Sequence, residues 1–190
     1  MRARLILPGL LAATALTLVG CGAEKSASSG SAAEKTSSPA SGSSAPAQDG
    51  AGAGAVPEAL RFTGTTVDGK PFDAATLAGK PTVLWFWAPW CPTCKAQGPE
   101  TAKVAAQFEG QAHVLGVAGL DKTKAMKDFV TDTGVGTFPN LADEAGDVWK
   151  KFKITQQSVY VILDKDGKTV FTGSLPAGKG LAGKVSPLVG

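Results

Sequence analysis

The stretch WFWAPWCPTC, residues 85–94, decides how the rest of the chain is interpreted. It overlaps the apolar run PTVLWFWA at 81–88, whose unbroken hydrophobicity is typical of a strand covered on both faces. Pro92 stands directly after Cys91, and the alanines and charged residues that follow recur at helical spacing. The sequence therefore predicts that a helix begins at the cysteine pair and that Pro99 kinks it.

Strand and helix patterns alternate along the rest of the chain. Strand patterns occur at 60–72, where Asp68-Gly69 marks a hairpin turn, and at 113–120, 158–163 and 168–173, and helical patterns at 73–79, 122–134, 143–152 and 181–188. This order predicts an α/β fold of three layers, a mixed central β-sheet flanked by helices, with an N-terminal β-hairpin extension.

The N-terminal part of the chain has a different composition. Residues 1–20 combine arginines with an apolar run too short to span a bilayer, which indicates a secretory signal. The letters LVGC that end at Cys21 resemble a bacterial lipobox, so Cys21 is expected to carry a lipid, although an ordinary signal with a spare cysteine is the alternative. Residues 21–57 are rich in Ser, Ala, Gly and Pro and are expected to form a disordered tether, which leaves 58–190 as the folded domain.

The charge of the chain argues against a nucleic-acid partner. The 190 residues carry a formal net charge of +3, and the lysines are scattered or alternate with apolar and acidic residues, as on the solvated face of a helix. The protein is expected to act as a monomer without a cofactor or metal.

The cysteine pair is suited to thiol chemistry. Cys91 lies where the predicted strand gives way to the helix, so unpaired amides and the positive end of the helix dipole stabilise its thiolate. Cys91 is therefore the candidate nucleophile, and Cys94, one turn later and more covered, the candidate resolving thiol. Such a pair cycles between dithiol and disulfide through a mixed disulfide with a substrate.

Three other roles for the pair remain open at this stage. A zinc site needs four ligands, and His113, within a strand, is the domain's one histidine. A structural disulfide would close too short a loop to stabilise the chain much. A peroxidase would need an arginine beside the thiolate, and Arg61, far upstream, is the domain's one arginine.

Several motifs resemble one family. FWAPWCPTC, TFPNLADEAGDVWKKFKI and VYVILDKDGKTVFTG are similar to the TlpA/DsbE branch of the thioredoxin fold, in particular to actinobacterial DsbE and DsbF lipoproteins, over about residues 60–175. The resemblance implies extracytoplasmic thiol-disulfide exchange, with Cys91 attacking, Cys94 resolving and Trp90 packed beside them. Pro92 and Thr93, between the cysteines, are supporting residues of that site.

Two departures from the family concern proton acceptors. Trp85 stands where thioredoxins carry a buried aspartate and many TlpA-like proteins an asparagine, and Gln97 stands where the family's reductases usually have glutamate. A reductase benefits from a base that deprotonates its resolving thiol, so these departures favour an oxidase. Asp121, Asp143 and Glu144 are the carboxylates that could reach the site instead.

A third departure lies before the strand VYVIL. The family has a cis-proline there, facing the disulfide, and this chain has Ser158, so the Gln157–Ser158 peptide is either strained or trans. Gln157 and Ser158 are therefore candidate supporting residues for substrate docking. On this basis Ser158→Pro is expected to improve stability or docking.

These observations predict an enzyme, a thiol-disulfide oxidoreductase with a Cys-Pro-Thr-Cys redox pair that oxidises secreted protein thiols. A reductase for cytochrome c maturation is the alternative within the same chemistry, and a non-enzymatic metal-binding or structural lipoprotein is the alternative outside it. The expected partners are secreted or envelope proteins with free thiols or disulfides, and a membrane redox partner that recycles the pair. The expected location is the cell membrane, with the lipid-anchored domain on the extracytoplasmic side.

Overall fold

Residues 55–190 are described by the computed structural model of the chain, and the predicted signal segment, Cys21 and almost all of the predicted tether lie outside them. The strands are β1 (Thr63–Thr65), β2 (Pro71–Asp73), β3 (Thr82–Trp87), β4 (His113–Ala118), β5 (Asn140–Ala142), β6 (Val159–Leu163) and β7 (Thr169–Gly173). The α-helices are α1 (Pro92–Gln107), α2 (Thr123–Thr133), α3 (Asp147–Lys151) and α4 (Leu181–Val185), and single 3-10 turns lie at Glu58–Leu60, Ala74–Leu77, Val135–Thr137, Pro176–Gly178 and Ser186–Leu188.

The central sheet has the strand order β5-β4-β3-β6-β7. The pairs β3–β4 and β4–β5 are parallel, whereas β6 pairs antiparallel with β3 and β7 antiparallel with β6. The carboxyl ends of β3, β4 and β5 consequently lie at the same edge of the sheet. The predicted mixed sheet in an α/β fold is present, and β3 is its middle strand.

Strand β3 separates the two hydrophobic cores, because successive side chains of a strand point to opposite faces. Its residues are all buried. Trp85 and Trp87 join the core that includes Met126 and Phe129 of α2, whereas Leu84 and Phe86 join the core on the other face. The apolar run at 81–88 predicted a strand covered on both faces, and β3 confirms this prediction.

The N-terminal hairpin is also present. β1 and β2 pair antiparallel, and the carboxylate of Asp73 accepts the N–H of Ala75 at the start of the following 3-10 turn. An isolated antiparallel bridge joins Thr66 to Leu141 of β5. The hairpin thereby covers part of a sheet edge that would otherwise be open to pairing with other chains.

Two local features differ from the sequence-based expectations. The chain after Pro139 forms β5, where no strand was predicted. The helix expected over 143–152 is confined to α3, because the Asp143 carboxylate accepts the N–H groups of Asp147 and Trp149 at its start. Helix α1 continues through Pro99, and the kink expected there stays a prediction. Over residues 55–190, the structure contains no helix with the length and hydrophobicity needed to cross a membrane.

Candidate active site

The two cysteines lie at the junction between β3 and α1. Cys91 has an extended backbone (φ −84°, ψ 112°) and directly precedes the first turn of α1, which opens with Pro92. Its Sγ accepts the backbone N–H of Cys94 at 3.0 Å. The two sulfur atoms form a disulfide, with the Cα atoms 5.2 Å apart. An amide at a helix start that already donates to sulfur would stabilise the Cys91 thiolate in the reduced pair.

Burial does not separate the two cysteines as the sequence suggested. Cys91 is 2% exposed and Cys94 is fully buried, so neither residue is broadly accessible. Pro92 and Thr93, between them, are exposed. The difference in environment comes instead from the helix start, where the sulfur of Cys91 and not that of Cys94 accepts an amide N–H.

Trp90 was expected to pack beside the cysteines, and its side chain is 52% exposed. Its indole N–H lies 3.4 Å from the carbonyl oxygen of Leu120, in the loop after β4. Leu120 is also 52% exposed. The residue that precedes Cys91 therefore links the cysteine pair to the next loop at the same edge of the sheet.

Trp85 and Gln97 are both fully buried, and they are hydrogen-bonded to each other. Trp85 Nε1 donates to Gln97 Oε1 at 2.9 Å, and the Trp85 ring stacks on Tyr160 with 6.3 Å between centroids. Burial raises the pKa of Tyr160 well above its usual value, against the opposing hydrogen bond with Thr101. Neither the tryptophan at position 85 nor the glutamine at position 97 can accept a proton near neutral pH.

The backbone of Ser158 adopts a left-handed conformation, with φ at +69°. Its N–H donates to the carbonyl of Phe86 at 2.8 Å, and its hydroxyl lies 3.1 Å from that of Ser174. Proline fixes φ near −65° and has no N–H, so this backbone is incompatible with proline. The expectation that Ser158→Pro improves the protein is therefore wrong. Gln157, the residue before it, is half-buried.

The carboxylates proposed as substitute bases are engaged elsewhere. Asp143 binds the start of α3, and Asp121 accepts the N–H of Lys122. Glu144 accepts the hydroxyl and N–H of Thr123 at 2.7 and 2.6 Å. The hydrogen bond from the Thr123 hydroxyl, followed by those from its N–H and from Lys122, lowers the pKa of Glu144 to about 2.

Metal and peroxidase chemistry have few candidate residues in the described part of the chain. His113 pairs with Thr82 at the opposite end of β3 from the cysteines. Within residues 55–190 no three His, Cys, Asp or Glu side chains are grouped so that they could hold a metal ion. Arg61 donates to the carbonyl of Val56 and to Glu58, in the segment before β1.

The sequence did not indicate which backbone groups accept hydrogen bonds from Gln97. Its Nε2 donates to the carbonyl oxygens of Ser158 at 3.3 Å and Leu175 at 3.0 Å. Leu175 lies in the loop after β7, where no motif marked it. Gln97 was noted for the absence of a base, but nothing in the local sequence indicates that its amide joins three separate segments.

Known proteins resemble this chain in both sequence and structure. The chain is 40% identical over 111 residues to the "Soluble secreted antigen MPT53" of Mycobacterium tuberculosis, an alignment that covers 57% of this chain and 63% of the relative's own length. The structure of MTB DsbF in its mixed oxidised and reduced forms has 43% identity and a TM-score of 0.65, over 70% of this chain and 98% of that one.

A second solved structure agrees with the first. It is a secreted Mycobacterium tuberculosis disulfide oxidoreductase homologous to DsbE of E. coli, with 38% identity and a TM-score of 0.63, over 69% of this chain and 98% of that one. These matches confirm the thioredoxin-like fold and the resemblance to DsbE and DsbF. Residues 56–171, more than half of the sequence, match the AhpC/TSA family, and the chain belongs to that family.

Proposed function

We propose that this protein is a thiol-disulfide oxidoreductase in which Cys91 and Cys94 form the redox pair. The observation that carries the proposal is the disulfide at the start of α1, where the sulfur of Cys91 accepts an amide N–H. The mycobacterial structure of DsbF, described in both oxidised and reduced forms, supports a redox-active pair in this fold. The structure of the secreted disulfide oxidoreductase supports the same chemistry.

In the oxidising direction, a substrate thiolate attacks Sγ of Cys91, and the Cys91–Cys94 bond breaks to release the Cys94 thiolate. A second thiolate of the substrate then attacks the substrate sulfur of the mixed disulfide and releases the Cys91 thiolate. The substrate leaves with a disulfide, and the pair holds its two electrons. Protons from the two substrate thiols pass to solvent or to the released sulfurs.

We propose that this oxidising direction is the physiological one. Stabilising the Cys91 thiolate stabilises the reduced pair, which makes its disulfide a stronger oxidant. The reducing direction gains from a base that deprotonates the buried resolving thiol, and Trp85 and Gln97 supply none. Reduction of cytochrome c maturation partners is the alternative direction for the same residues.

We also propose that the protein acts outside the cytoplasm, anchored to the membrane by a lipid on Cys21. Residues 1–20 would be the signal, 21–57 the tether and 58–190 the catalytic domain, a monomer that meets secreted or envelope proteins and a membrane redox partner. Support comes from the LVGC pattern and from the name of MPT53, a secreted relative. Mass spectrometry of the mature N-terminus tests the anchor: a mature chain that does not begin with acylated Cys21 contradicts it.

Oxidative refolding of a reduced, unfolded model protein tests the enzymatic proposal. The wild type and Cys21→Ala are expected to accelerate disulfide formation equally, whereas Cys91→Ser and Cys94→Ser are expected to be inactive as oxidants. Acceleration that survives Cys91→Ser contradicts the assigned roles. A wild type that only reduces disulfides supports the alternative direction, and one that exchanges with no thiol or disulfide supports a non-enzymatic lipoprotein.

A further inference from the structure

The amide of Gln97 joins the helix that carries the disulfide to two loops. Gln97 lies three positions after Cys94, on the same side of α1 one turn further along. It receives a hydrogen bond from Trp85 and donates to the carbonyl oxygens of Ser158 and Leu175. The side chain is fully buried, the bonds to Trp85 and Ser158 are buried as well, and the bond to Leu175 is partly buried.

The partners fix which way the amide points. The indole N–H of Trp85 can only donate, so it requires the oxygen of Gln97. The carbonyls of Ser158 and Leu175 can only accept, so they require the two hydrogens on Nε2. A neutral amide with one acceptor and two donors satisfies all three groups. A carboxylate has no hydrogen to donate, and a methionine can make none of these bonds with comparable strength.

One of the partners needs external support. The left-handed backbone of Ser158 is unfavourable for a residue with a side chain and persists only where its surroundings hold it. Phe86 binds the N–H of Ser158, and Gln97 binds its carbonyl oxygen. The peptide groups on both sides of this residue are thereby held, one by the sheet and one by the catalytic helix.

We infer that Gln97 is a positioning residue that orients the Gln157–Ser158 segment for docking of an extended thiol substrate. The inference rests on the proposed function. Within residues 55–190, no hydrogen bond is made to the backbone N–H or C=O of Gln157, so these groups are available to pair with a substrate strand. Loss of the Gln97 amide would release the carbonyl of Ser158, so the left-handed backbone that sets the direction of the Gln157–Ser158 peptide would keep only the bond from its N–H to Phe86.

A protein or peptide substrate needs the Gln157–Ser158 segment for docking, whereas a small thiol needs only the sulfur atoms of the disulfide.

Gln97→Met conserves side-chain length and removes the three hydrogen bonds. In the full chain it is expected to raise KM for an extended dithiol peptide about tenfold, the factor that corresponds to losing about one buried hydrogen bond. The rate of reduction of the disulfide by glutathione is expected to change by less than about twofold. Gln107→Met, on the exposed face of the same helix, is the matched control and is expected to change neither quantity.

Hydrogen exchange at the Ser158 amide supplies a readout that does not depend on turnover. Gln97→Met is expected to accelerate exchange there and to leave the β3–β4 amides unaffected. Equal changes with peptide and glutathione, or unaltered hydrogen exchange at the Ser158 amide, would overturn the inference. If Gln97→Met does not fold, Gln97→Glu, which keeps the acceptor for Trp85, is tested for the same split between the two substrates. A wild-type chain that reacts with neither the dithiol peptide nor glutathione refutes the proposed function itself. Unaltered hydrogen exchange at Ser158 refutes only the role of Gln97.

Discussion

The indole N–H of Trp85 donates to Oε1 of Gln97 across 2.9 Å, so the two positions at which related proteins carry candidate proton acceptors are bonded to each other. Both side chains are neutral and fully buried. The tryptophan occupies the volume beneath the helix, and the glutamine turns its amide toward the loops. The result is a polar connection that carries no charge and does not titrate.

Replacement of Trp85 by phenylalanine removes the donor and leaves the oxygen of Gln97 unpaired. We expect a loss of about 2–4 kcal/mol in the free energy of unfolding, from the unpaired acceptor and the smaller ring. Trp87→Phe is the matched control, because Trp87 Nε1 also donates to a buried amide oxygen, that of Asn140. Both variants should lose similar stability in urea unfolding, but only Trp85→Phe should raise KM for a peptide substrate. Similar KM values in the two variants would contradict the special role of the Trp85–Gln97 bond.

The roles of the two cysteines can be separated by alkylation. Cys94→Ser leaves the thiol at the helix start, and Cys91→Ser leaves the buried one. We expect the thiol of Cys91 to react faster with iodoacetamide below neutral pH, because the amides at the helix start stabilise its thiolate. Rates measured against pH on the two variants check this. Faster low-pH alkylation of Cys94 would reverse the assigned roles.

The backbone conformation of Ser158 indicates that Ser158→Pro destabilises the protein, which is opposite to the effect expected from the family pattern. Ser158→Pro removes the N–H that Phe86 accepts and cannot adopt a φ of +69°. We expect it to destabilise the protein by more than about 1 kcal/mol. Ser158→Gly is the control, since glycine adopts this conformation readily, and it should remain within about 1 kcal/mol of the wild type. A proline variant as stable as the wild type would show that the backbone differs from that described.

His113 should make stability fall on the acidic side of neutrality. Burial, and to a lesser degree the charge of Lys80, lowers the pKa of His113 below its ordinary value of 6.5. Between the lowered pKa and 6.5 the unfolded chain binds more protons than the folded one, so stability decreases as pH falls through this window. Urea unfolding of the wild type and His113→Gln as a function of pH measures the effect. The difference between the two should be constant above neutral pH and change below it; a constant difference throughout would contradict the shift.

The parts of the fold with a strong local pattern could be predicted from the sequence. The strand β3 is apolar on both faces because it lies between two cores, and Pro92 marks the helix start at the cysteines. Strand β5 could not be predicted, because it has only three residues and is fixed by pairing with β4.

The surroundings of the disulfide were less predictable than its position. Trp85 and Gln97 were each recognised as departures from the family, but their bond depends on how β3 and α1 pack. The left-handed Ser158 is held by Phe86 and Gln97, which are distant from it in the chain. Such contacts have no signature in the residues next to Ser158, and this is why the expected effect of proline was wrong.

The equilibrium reduction potential of the Cys91–Cys94 pair tests the central claim most directly. It can be measured in glutathione buffers on the full chain carrying Cys21→Ala, so that the pair contributes the only thiols. Related redox pairs range from about −270 mV for thioredoxin to about −120 mV for DsbA. A pair that oxidises secreted thiols is predicted to lie above about −200 mV. A potential near −270 mV, or a disulfide that glutathione does not reduce at all, would contradict the account.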